Sequence, residues 1–432
     1  MELLDILVLV VSFIVLLGLG MPIAWTLGIS ALLTLLLSLE SMTALTTMSQ
    51  QFVTSLNSFT LLAIPFFILA GQIMNQGGIA ERLINFAKNM VGSLPGGLAH
   101  INVVAAMLFG AIAGSSVAAV SAIGSILGPR MEKEGYTREF GASVNITSAS
   151  IGLVIPPSNV LIVYSLASGG TSIAALFVAG YIPGILTGLA LMGIATIWAV
   201  RKKFPVGERT KFSELAKSFG QALPSLLLLI IVIGGIVAGI FTATEAAAIA
   251  VVYTLGLSFI YREVGVTDIP DILIKAVQTT SIVMLLIAAS ISLSWVMSFG
   301  QLPQTVSEAM LSISDNPIIL LLLINLILLF VGMFMDMTPA VLIFTPIFLP
   351  VAVEIGVDPV HFGIIMVMNL CIGICTPPVG TLLFVGISVA ETTIEKVIKP
   401  LLPLFIAMLI ALLLVTFWSD LSLWLPRLFD LM

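Results

Sequence analysis

The sequence GLVIPPSNVL at residues 152–161 recurs as GICTPPVGTL at residues 373–382, an offset of 221 residues. Further pairs of identical residues at this offset are Pro129 and Pro350, Gly135 and Gly356, Ala119-Val120 and Ala340-Val341. Apolar matches are common in a hydrophobic chain, but proline and glycine matches at one spacing indicate a true internal repeat. Because proline lacks an amide hydrogen and its ring clashes with the preceding turn, each Pro-Pro pair also predicts an interrupted helix.

The composition is that of a membrane protein. The chain has 432 residues, of which 59% are hydrophobic and 9% are charged, whereas soluble domains contain roughly a quarter charged residues. Apolar runs of about 20 residues, enough to cross a hydrocarbon core of about 30 Å, recur from end to end. The first run is not preceded by a positively charged region, and no small-residue cleavage site follows it, so a retained membrane helix is expected there rather than a signal peptide.

Two of the apolar segments have centres rich in glycine, proline or small residues, and we predict that these two, 98–129 and 316–350, are re-entrant hairpins. The remaining predicted segments are 3–20, 22–39, 58–75, 140–168, 172–199, 222–240, 243–260, 277–299, 360–390 and 398–418.

The distribution of basic residues supports this topology. The loop from Arg201 to Lys217 is strongly basic, so the positive-inside rule places it in the cytoplasm. With both hairpins counted as re-entrant, all 16 Lys and Arg residues except Arg427 fall in cytoplasmic loops. If either hairpin were a single span, every later loop would change sides.

Five predicted spans separate the hairpins, and an odd number inverts the second repeat relative to the first. The fold class that follows is an all-α polytopic membrane protein with inverted repeats, two re-entrant hairpins and two broken helices. The predicted divisions are 1–95 (N-terminal scaffold helices), 96–200 (first repeat), 201–300 (cytoplasmic loop, scaffold helices and amphipathic arm), 301–397 (second repeat) and 398–432 (C-terminal helix and tail).

The four interruptions are the candidate binding site. Inverted repeats with broken helices at matching positions are typical of the midplane site of a secondary transporter, and irregular backbone is tolerated at membrane depth only in a protein-lined site. The interruptions are the tips 114–118 and 336–339 and the breaks 155–159 and 375–380. Their free carbonyls could bind Na⁺, and the helix N-termini that follow could bind a carboxylate. Alternatively, the prolines and glycines only kink packed helices.

Asp336 is the acidic residue of these tips. An acidic side chain within an apolar hairpin is costly and usually functional. It could also cap the second arm of the hairpin through an Asp336–Thr338 turn.

Other motifs have structural interpretations. Thr242 to Glu245 resembles a helix capping box, with a direct transport role as the alternative. Residues 268–275 predict a short amphipathic helix on the cytoplasmic membrane surface. Cys371 and Cys375 are interpreted as packing residues. The two distant histidines do not suggest an enzyme, because no nucleophile–base or metal constellation accompanies them.

The chain resembles the large membrane subunit, of the DctM type, of tripartite ATP-independent periplasmic (TRAP) transporters. The resemblance covers nearly the whole chain. It rests on the stretches IPFFILAGQIMNQGGIAERL (64–83), GAIAGSSVAAVSAIG (110–124), IGLVIPPSN (151–159), FTATEAAAIAVVY (241–253), GMFMDMTPAVLIFTPIFLP (332–350) and GICTPPVGTLLFV (373–385).

The resemblance implies a Na⁺-coupled importer of an organic acid anion that works by an elevator-like movement of the two-hairpin domain in the bacterial inner membrane. The anion would be a C4-dicarboxylate, sialic acid or another sugar or keto acid. The implied partners are a separate small four-helix membrane subunit, a periplasmic substrate-binding protein and membrane lipid, with no nucleic acid. A stand-alone Na⁺/dicarboxylate carrier of the related ion-transporter fold is the alternative.

The resemblance also implies two or more Na⁺ ions and no organic cofactor. One ion would lie at the first tip and its break, and another at the second tip and its break, with the substrate carboxylate between the tips. The implied metal ligands are Ser115, Pro156, Asn159, Asp336, Thr338, Thr376 and Gly380. The implied substrate-binding residues are Ser115, Ser116, Asn159, Thr338 and Pro378.

Overall fold

The computed structural model describes residues 3–204, 206, 211–314 and 316–432, and the regular elements in this part of the chain are helices. Seven helical stretches are long and apolar enough to span a membrane, and further apolar helices are shorter. The expectation of an all-α, polytopic membrane fold is confirmed. Arg209 of the basic loop lies outside the described residues.

Five α-helices precede the first repeat, with a 3₁₀ helix (Phe59–Leu62) directly before the fourth: α1 (Leu3–Gly18), α2 (Ile23–Ser38), α3 (Ser41–Thr54), α4 (Ala63–Gln76) and α5 (Ile79–Val91). The sequence predicts α1, α2 and α4 but not α3 or α5. Helix α3 is rich in Thr, Ser and Gln, so it lacks the apolar run on which the prediction depended. Helix α5 is amphipathic and carries the basic residues Arg82 and Lys88.

The first repeat contains six helices: α6 (Gly97–Ala113), α7 (Ser116–Lys133), α8 (Arg138–Ile151), α9 (Asn159–Ala167), α10 (Ile173–Ala179) and α11 (Tyr181–Lys202). The hairpin α6–α7 and the broken helix α8–α9 occupy the predicted segments. The predicted segment 172–199 corresponds to one candidate span, Ile173–Lys202, which a turn at Gly180 divides into α10 and α11. Pro183 explains the interruption, since it has no amide hydrogen to donate to the carbonyl of Ala179.

Three helices connect the repeats: α12 (Phe212–Val237), α13 (Ala243–Tyr261) and α14 (Ile269–Phe299). The predicted capping box at the start of α13 is confirmed, because Thr242 and Glu245 exchange both bonds. The predicted short helix over 268–275 was wrong. Residues 269–275 instead form the first turns of α14, since no proline or glycine after Pro270 stops the helix, and Asp268 ends the 3₁₀ helix Val266–Asp268 that precedes it.

The second repeat and the C-terminus contain α15 (Leu302–Ile313), α16 (Pro317–Gly332), α17 (Met337–Glu354), α18 (Pro359–Gly373), α19 (Thr381–Val389), α20 (Ile394–Phe417) and α21 (Asp420–Leu428). The hairpin is α16–α17 and the broken helix is α18–α19, as predicted. Helices α15 and α21 were not predicted, because each is too short to give a spanning signal.

In both halves a glycine pair lets the first arm of the hairpin press against the first half of the broken helix. A Cβ added at Gly152 would lie 2.7 Å from the Cα of Gly110, and one at Gly373 would lie 2.6 Å from the Cα of Gly332. Both contacts fall directly before the break in the broken helix. The glycines therefore hold each hairpin against the interruption that belongs to it.

A buried polar bond reinforces each of these contacts. The Ser148 hydroxyl donates to Oδ1 of Asn102 at 2.9 Å in the first half, and Nδ2 of Asn369 donates to Oδ1 of Asn325 at 2.7 Å in the second. Ser148 and Asn369 are equivalent by the repeat offset. The contact between hairpin and broken helix therefore occurs in both halves, with different side chains in each.

The two broken helices run antiparallel. Tyr164, near the end of α9, donates to the carbonyl of Pro359 at the start of α18, and Arg138 at the start of α8 lies 3.7 Å from Glu391 after α19. Between these ends, the Cys371 thiol donates to the carbonyl of Ser150, its equivalent residue. Equivalent residues can touch in this way only near the axis that relates the halves, so the repeat is inverted as predicted.

Both ends of the first hairpin lie beside the basic loop. Pro95, just before α6, pairs with Val206, and the ring of Tyr136, just after α7, lies 4.1 Å from that of Phe204. The far end of the second hairpin lies beside α15, because Ser307 donates to the carboxylate of Glu354. This arrangement supports hairpins that open at opposite ends of the molecule.

Replacing the crossing glycines is expected to destabilise the fold. Gly152→Ala and Gly373→Ala each put a methyl group within 2.7 Å of backbone, and overpacking of this kind costs roughly 1–3 kcal/mol. The measurement is the thermal unfolding midpoint of the purified chain in detergent. Gly128→Ala is the control, because a Cβ there meets nothing within 4 Å. Equal unfolding temperatures for the crossing and control variants would contradict the proposed contact between hairpin and broken helix.

Candidate functional site

A cavity of about 180 Å³ lies where the two hairpin tips meet the helices that precede and connect the repeats. Its walls come from both tips, from the start of α9, and from one face each of α4 and α14. Its polar lining residues are Gln72, Asn75, Ser115, Ser116, Asn159, Thr279, Asp336 and Thr338. Both tips and one of the two breaks therefore reach a common space.

The first tip is a two-residue turn between α6 and α7. Gly114 has a φ of +60°, which favours glycine, and an added Cβ would lie 3.0 Å from Nδ2 of Asn159. Ser115 caps α7, because its hydroxyl oxygen accepts a bond from the amide of Ala118 at 3.3 Å. The tip thus rests directly on the side chain that follows the break of the same half.

The two breaks expose equivalent sets of carbonyl oxygens. Across the described residues, the carbonyls of Ile155, Pro156 and Pro157 accept no hydrogen bond, and neither do those of Thr376, Pro377 and Pro378. Both Pro-Pro peptide bonds are cis. Each break therefore presents carbonyl oxygens of the kind that alkali cations bind.

The second tip is longer, with four residues between α16 and α17. The carbonyl of Met333 accepts a hydrogen bond from the amide of Gly380 at 3.0 Å, which joins this tip to its break. Asp336 occupies the N-cap position of α17 with extended backbone angles, but its side chain makes no capping bond. Its carboxylate faces the amide of Met337 and the hydroxyl of Thr381.

Asp336 lies at the point where the second tip meets the cavity. The sequence predicts an acidic side chain within an apolar hairpin, and Asp336 lies among protein groups with its side chain accessible from the cavity. The tip unwinds before α17, so the side chain points into the open space rather than between helices. A carboxylate that does not cap its helix and is reachable from a cavity is available to a cation.

Two amide oxygens in the cavity lack partners. Oδ1 of Asn159 and Oδ1 of Asn75 are both buried and accept no hydrogen bond from any described residue. Buried acceptors without partners carry a desolvation cost unless an ion, a water or a ligand satisfies them. The cavity is therefore rich in oxygen acceptors, as a cation site requires.

The predicted site residues fall into two groups. Ser115, Ser116, Asn159, Asp336 and Thr338 line the cavity together. The other four do not line it: Pro156 is buried, Thr376 is half-buried with its hydroxyl bonded to Ile372, Gly380 is buried and Pro378 is exposed. The proposed roles of these four residues in binding stay predictions. As Na⁺ ligands, the residues of the breaks would bind through their backbone atoms.

Sequence reasoning missed the contribution of α4 and α14. Gln72, Asn75 and Thr279 line the cavity from outside the repeats. A signal was present for two of them, because Gln72 and Asn75 are amides three residues apart in an apolar span and so share one face of the helix.

A second, larger cavity of about 310 Å³ lies near the base of the first hairpin. It is lined by Glu132, Arg138 and Asn145 but by neither tip. Glu132 and Arg138 pair with each other there, and none of the predicted site residues lines this space.

Comparison with known proteins identifies the family. Residues 10–421 match the family described as "Tripartite ATP-independent periplasmic transporter, DctM component". The chain belongs to this family. Because the family is a transporter component, the DctM assignment also agrees with the expectation that the chain is not an enzyme.

Similar proteins match over nearly their whole length. A protein of Salmonella typhimurium described as uncharacterized protein YgiK is 56% identical over 98% of each chain. The C4-dicarboxylate TRAP transporter large permease protein DctM of Pseudomonas aeruginosa is 42% identical, with 93% of this chain and 94% of that protein covered. The crystal structure of the YdaH transporter of Alcanivorax borkumensis has the same fold, with a TM-score of 0.67, 14% identity, and 88% and 89% coverage.

In this DctM component, removing the charge of Asp336 is expected to weaken cation binding. Asp336→Asn and Asp336→Ser should each raise the Na⁺ concentration needed for thermal stabilisation at least about tenfold, a change of about 1.4 kcal/mol. The measurement is the unfolding midpoint of the purified chain titrated with NaCl against choline chloride, since a ligand that binds the folded state raises stability.

The serine variant separates the two roles of Asp336. Serine caps the equivalent position 115, so Asp336→Ser would behave like the native chain if capping were the function. Asp420→Asn, which removes one exposed carboxylate on α21, is the control for loss of charge. A Na⁺ response in Asp336→Asn equal to that of the native chain would remove this residue from the site.

Proposed function

We propose that this DctM component imports an organic acid anion by coupling its movement to a Na⁺ gradient. The observation that carries the proposal is Asp336, a carboxylate that is uncapped and reachable from a cavity shared by both hairpin tips. A chain that only kinks its helices at these positions has no need of a free acidic group there.

The proposed Na⁺ sites follow the two halves. The first consists of Ser115, Asn159 and the carbonyl of Pro156, and the unpaired Oδ1 of Asn159 supports it. The second consists of Asp336, Thr338, Thr376 and Gly380, and the contact of the second tip with Gly380 supports it. All the proposed ligand atoms are oxygens, which suit a hard cation.

The proposed substrate is a carboxylate held between the tips. Helices α7 and α17 both begin at the cavity, through Ser116 and Met337, and helix N-termini attract anions. Bound Na⁺ would add positive charge. No Lys or Arg side chain is among the described residues that line the cavity, so recognition would rest on backbone dipoles, on Ser116 and Thr338, and on the ions. Pro378, the other proposed substrate contact, is exposed and lies outside the cavity. It would therefore approach the substrate only in a different conformation of the protein.

A C4-dicarboxylate is the substrate that we propose first, because the Pseudomonas relative is named for it. Sialic acid and other sugar or keto acids are the next candidates. The cavity volume of about 180 Å³ favours a small anion in the arrangement described here.

An elevator-like movement of the two-hairpin unit against α4 and α14 is the proposed mechanism. Polar bonds tie each hairpin to its broken helix. By contrast, among the described residues no hydrogen bond joins α4 or α14 to either hairpin, and their shared surface includes Ile64, Ile68 and Val283. An interface without polar bonds can slide at lower cost than one that must break them.

The proposed partners are a small four-helix membrane subunit and a periplasmic substrate-binding protein, because the DctM family is one component of a tripartite system. A stand-alone Na⁺/dicarboxylate carrier is the alternative. The bacterial inner membrane is the proposed location, with the basic loop after α11 in the cytoplasm.

Reconstitution in liposomes tests this function. Uptake of labelled C4-dicarboxylate is expected only when the chain, its small subunit and its binding protein are present together with an inward Na⁺ gradient. Uptake should fall at least about tenfold when a K⁺ gradient of equal size replaces the Na⁺ gradient, and also when Asp336→Asn replaces the native chain. Uptake by the chain alone would favour the stand-alone carrier, and full uptake without Na⁺ would contradict ion coupling.

The same system tests substrate class. Unlabelled sialic acid, a keto acid and a C4-dicarboxylate are compared as competitors, and the strongest competitor identifies the class. If no organic acid competes although all components bind one another, the proposed substrate class is wrong, but the proposed assembly with the small subunit and the binding protein is supported.

A further inference from the structure

A basic groove lies at the base of the first hairpin, away from the cavity between the tips. We define it by Ile84 and Lys88 of α5, Leu98 and Ile101 of α6, and Leu127, Arg130, Lys133 and Glu134 at the end of α7. Its volume is about 170 Å³. The groove is therefore formed jointly by the first hairpin and by a helix outside the repeat.

The rim of the basic groove carries a net positive charge. Lys88, Arg130 and Lys133 are exposed, and none forms an ion pair with another described residue. Glu134 is the one carboxylate of its described lining. The nearby Glu132 is occupied, since it pairs with Arg138. Three cations thus face a single acid, and the groove attracts an anion.

The floor of the basic groove is aliphatic. Its side chains are buried, and each exposes 8% of its surface or less: Ile84, Leu98, Ile101 and Leu127. A soluble polyanion would gain from the cations but not from an aliphatic floor. An amphiphile with an anionic head would use both surfaces.

The groove lies at the end of an apolar segment, next to an amphipathic helix. Helix α5 is amphipathic, and α6 begins an apolar segment directly after it. The neighbouring Met90 and Leu94 expose 44% and 43% of their surface, as expected of side chains that touch lipid. Basic pockets between membrane helices on the cytoplasmic side are typical sites for anionic phospholipid headgroups.

We propose that the basic groove binds an anionic phospholipid, with its phosphodiester against Lys88, Arg130 and Lys133 and an acyl chain over the aliphatic floor. The lipid would bridge α5 to the first hairpin. This inference does not depend on the transported substrate or on Na⁺ coupling, because it uses none of the residues of the cavity between the tips.

Lipid binding to the full-length chain, purified in a zwitterionic detergent, tests the proposal. Native mass spectrometry counts bound lipid, and thermal unfolding reports stabilisation, during titration with phosphatidylglycerol, cardiolipin or phosphatidylcholine. The native chain should bind the anionic lipids and be stabilised by them, with little effect of phosphatidylcholine. A free-phosphate arm uses inorganic phosphate at millimolar concentration.

The variant Lys88→Gln/Arg130→Gln/Lys133→Gln should weaken binding of anionic lipid by roughly a hundredfold, because each basic side chain near a membrane surface contributes about fivefold. The matched control is Lys275→Gln/Lys396→Gln/Lys399→Gln, which removes three exposed basic residues elsewhere and should bind as the native chain does. Equal unfolding temperatures without anionic lipid show that both variants fold.

Three results would overturn the proposal. Equal weakening in the groove and control variants would mean that lipid responds to overall charge. Stabilisation by inorganic phosphate as strong as by phosphatidylglycerol would mean a simple anion site. Absence of tightly bound anionic lipid on the native chain would mean that the groove is not a lipid site.

Discussion

A helix interrupted inside a bilayer leaves backbone carbonyls that hydrocarbon cannot satisfy, and this constraint governs the whole structure. Each broken helix here leaves several such carbonyls without a hydrogen-bond partner among the described residues, including those at 155–157 and at 376–378. The fold responds by bringing a hairpin tip to each break. In the second half, the amide of Gly380 bonds the carbonyl of Met333, and in the first half the side chain of Asn159 covers Gly114. The hairpins can therefore be understood as covers for the breaks.

Inversion brings these covered breaks together. Ser150 and Cys371 touch near the axis that relates the halves, one or two residues before the helices break. The halves are nevertheless unequal where charge matters. At one equivalent position Ser115 caps its helix, while Asp336 makes no side-chain cap and keeps a carboxylate that is accessible from the cavity. A symmetric scaffold thus holds an asymmetric pair of candidate ion sites.

The sequence predicts the hairpins, the broken helices and their inversion because proline, glycine and basic residues mark them locally. It does not predict that Gln72 and Thr279 share the cavity, because α4 and α14 reach it only through tertiary packing. That packing depends on details such as Gly71, where an added Cβ would lie 2.6 Å from the carbonyl of Ala113. The sequence places Asp336 at the second tip but does not show that this tip opens onto a cavity, since a cavity between tips leaves no trace in hydropathy.

The boundary between the hairpins and the other helices combines close packing with few polar bonds. The contact of Gly71 with the carbonyl of Ala113 is intimate, yet no hydrogen bond among the described residues fixes α4 to the first hairpin. Apolar contact is nearly non-directional, so it can be exchanged for other apolar contact or for lipid without leaving a polar group unpaired. The basic groove lies on this same boundary, between α5 and the hairpin. A lipid there would fill the space between α5 and the first hairpin. Because a lipid is mobile, it could keep this boundary packed while the hairpin moves.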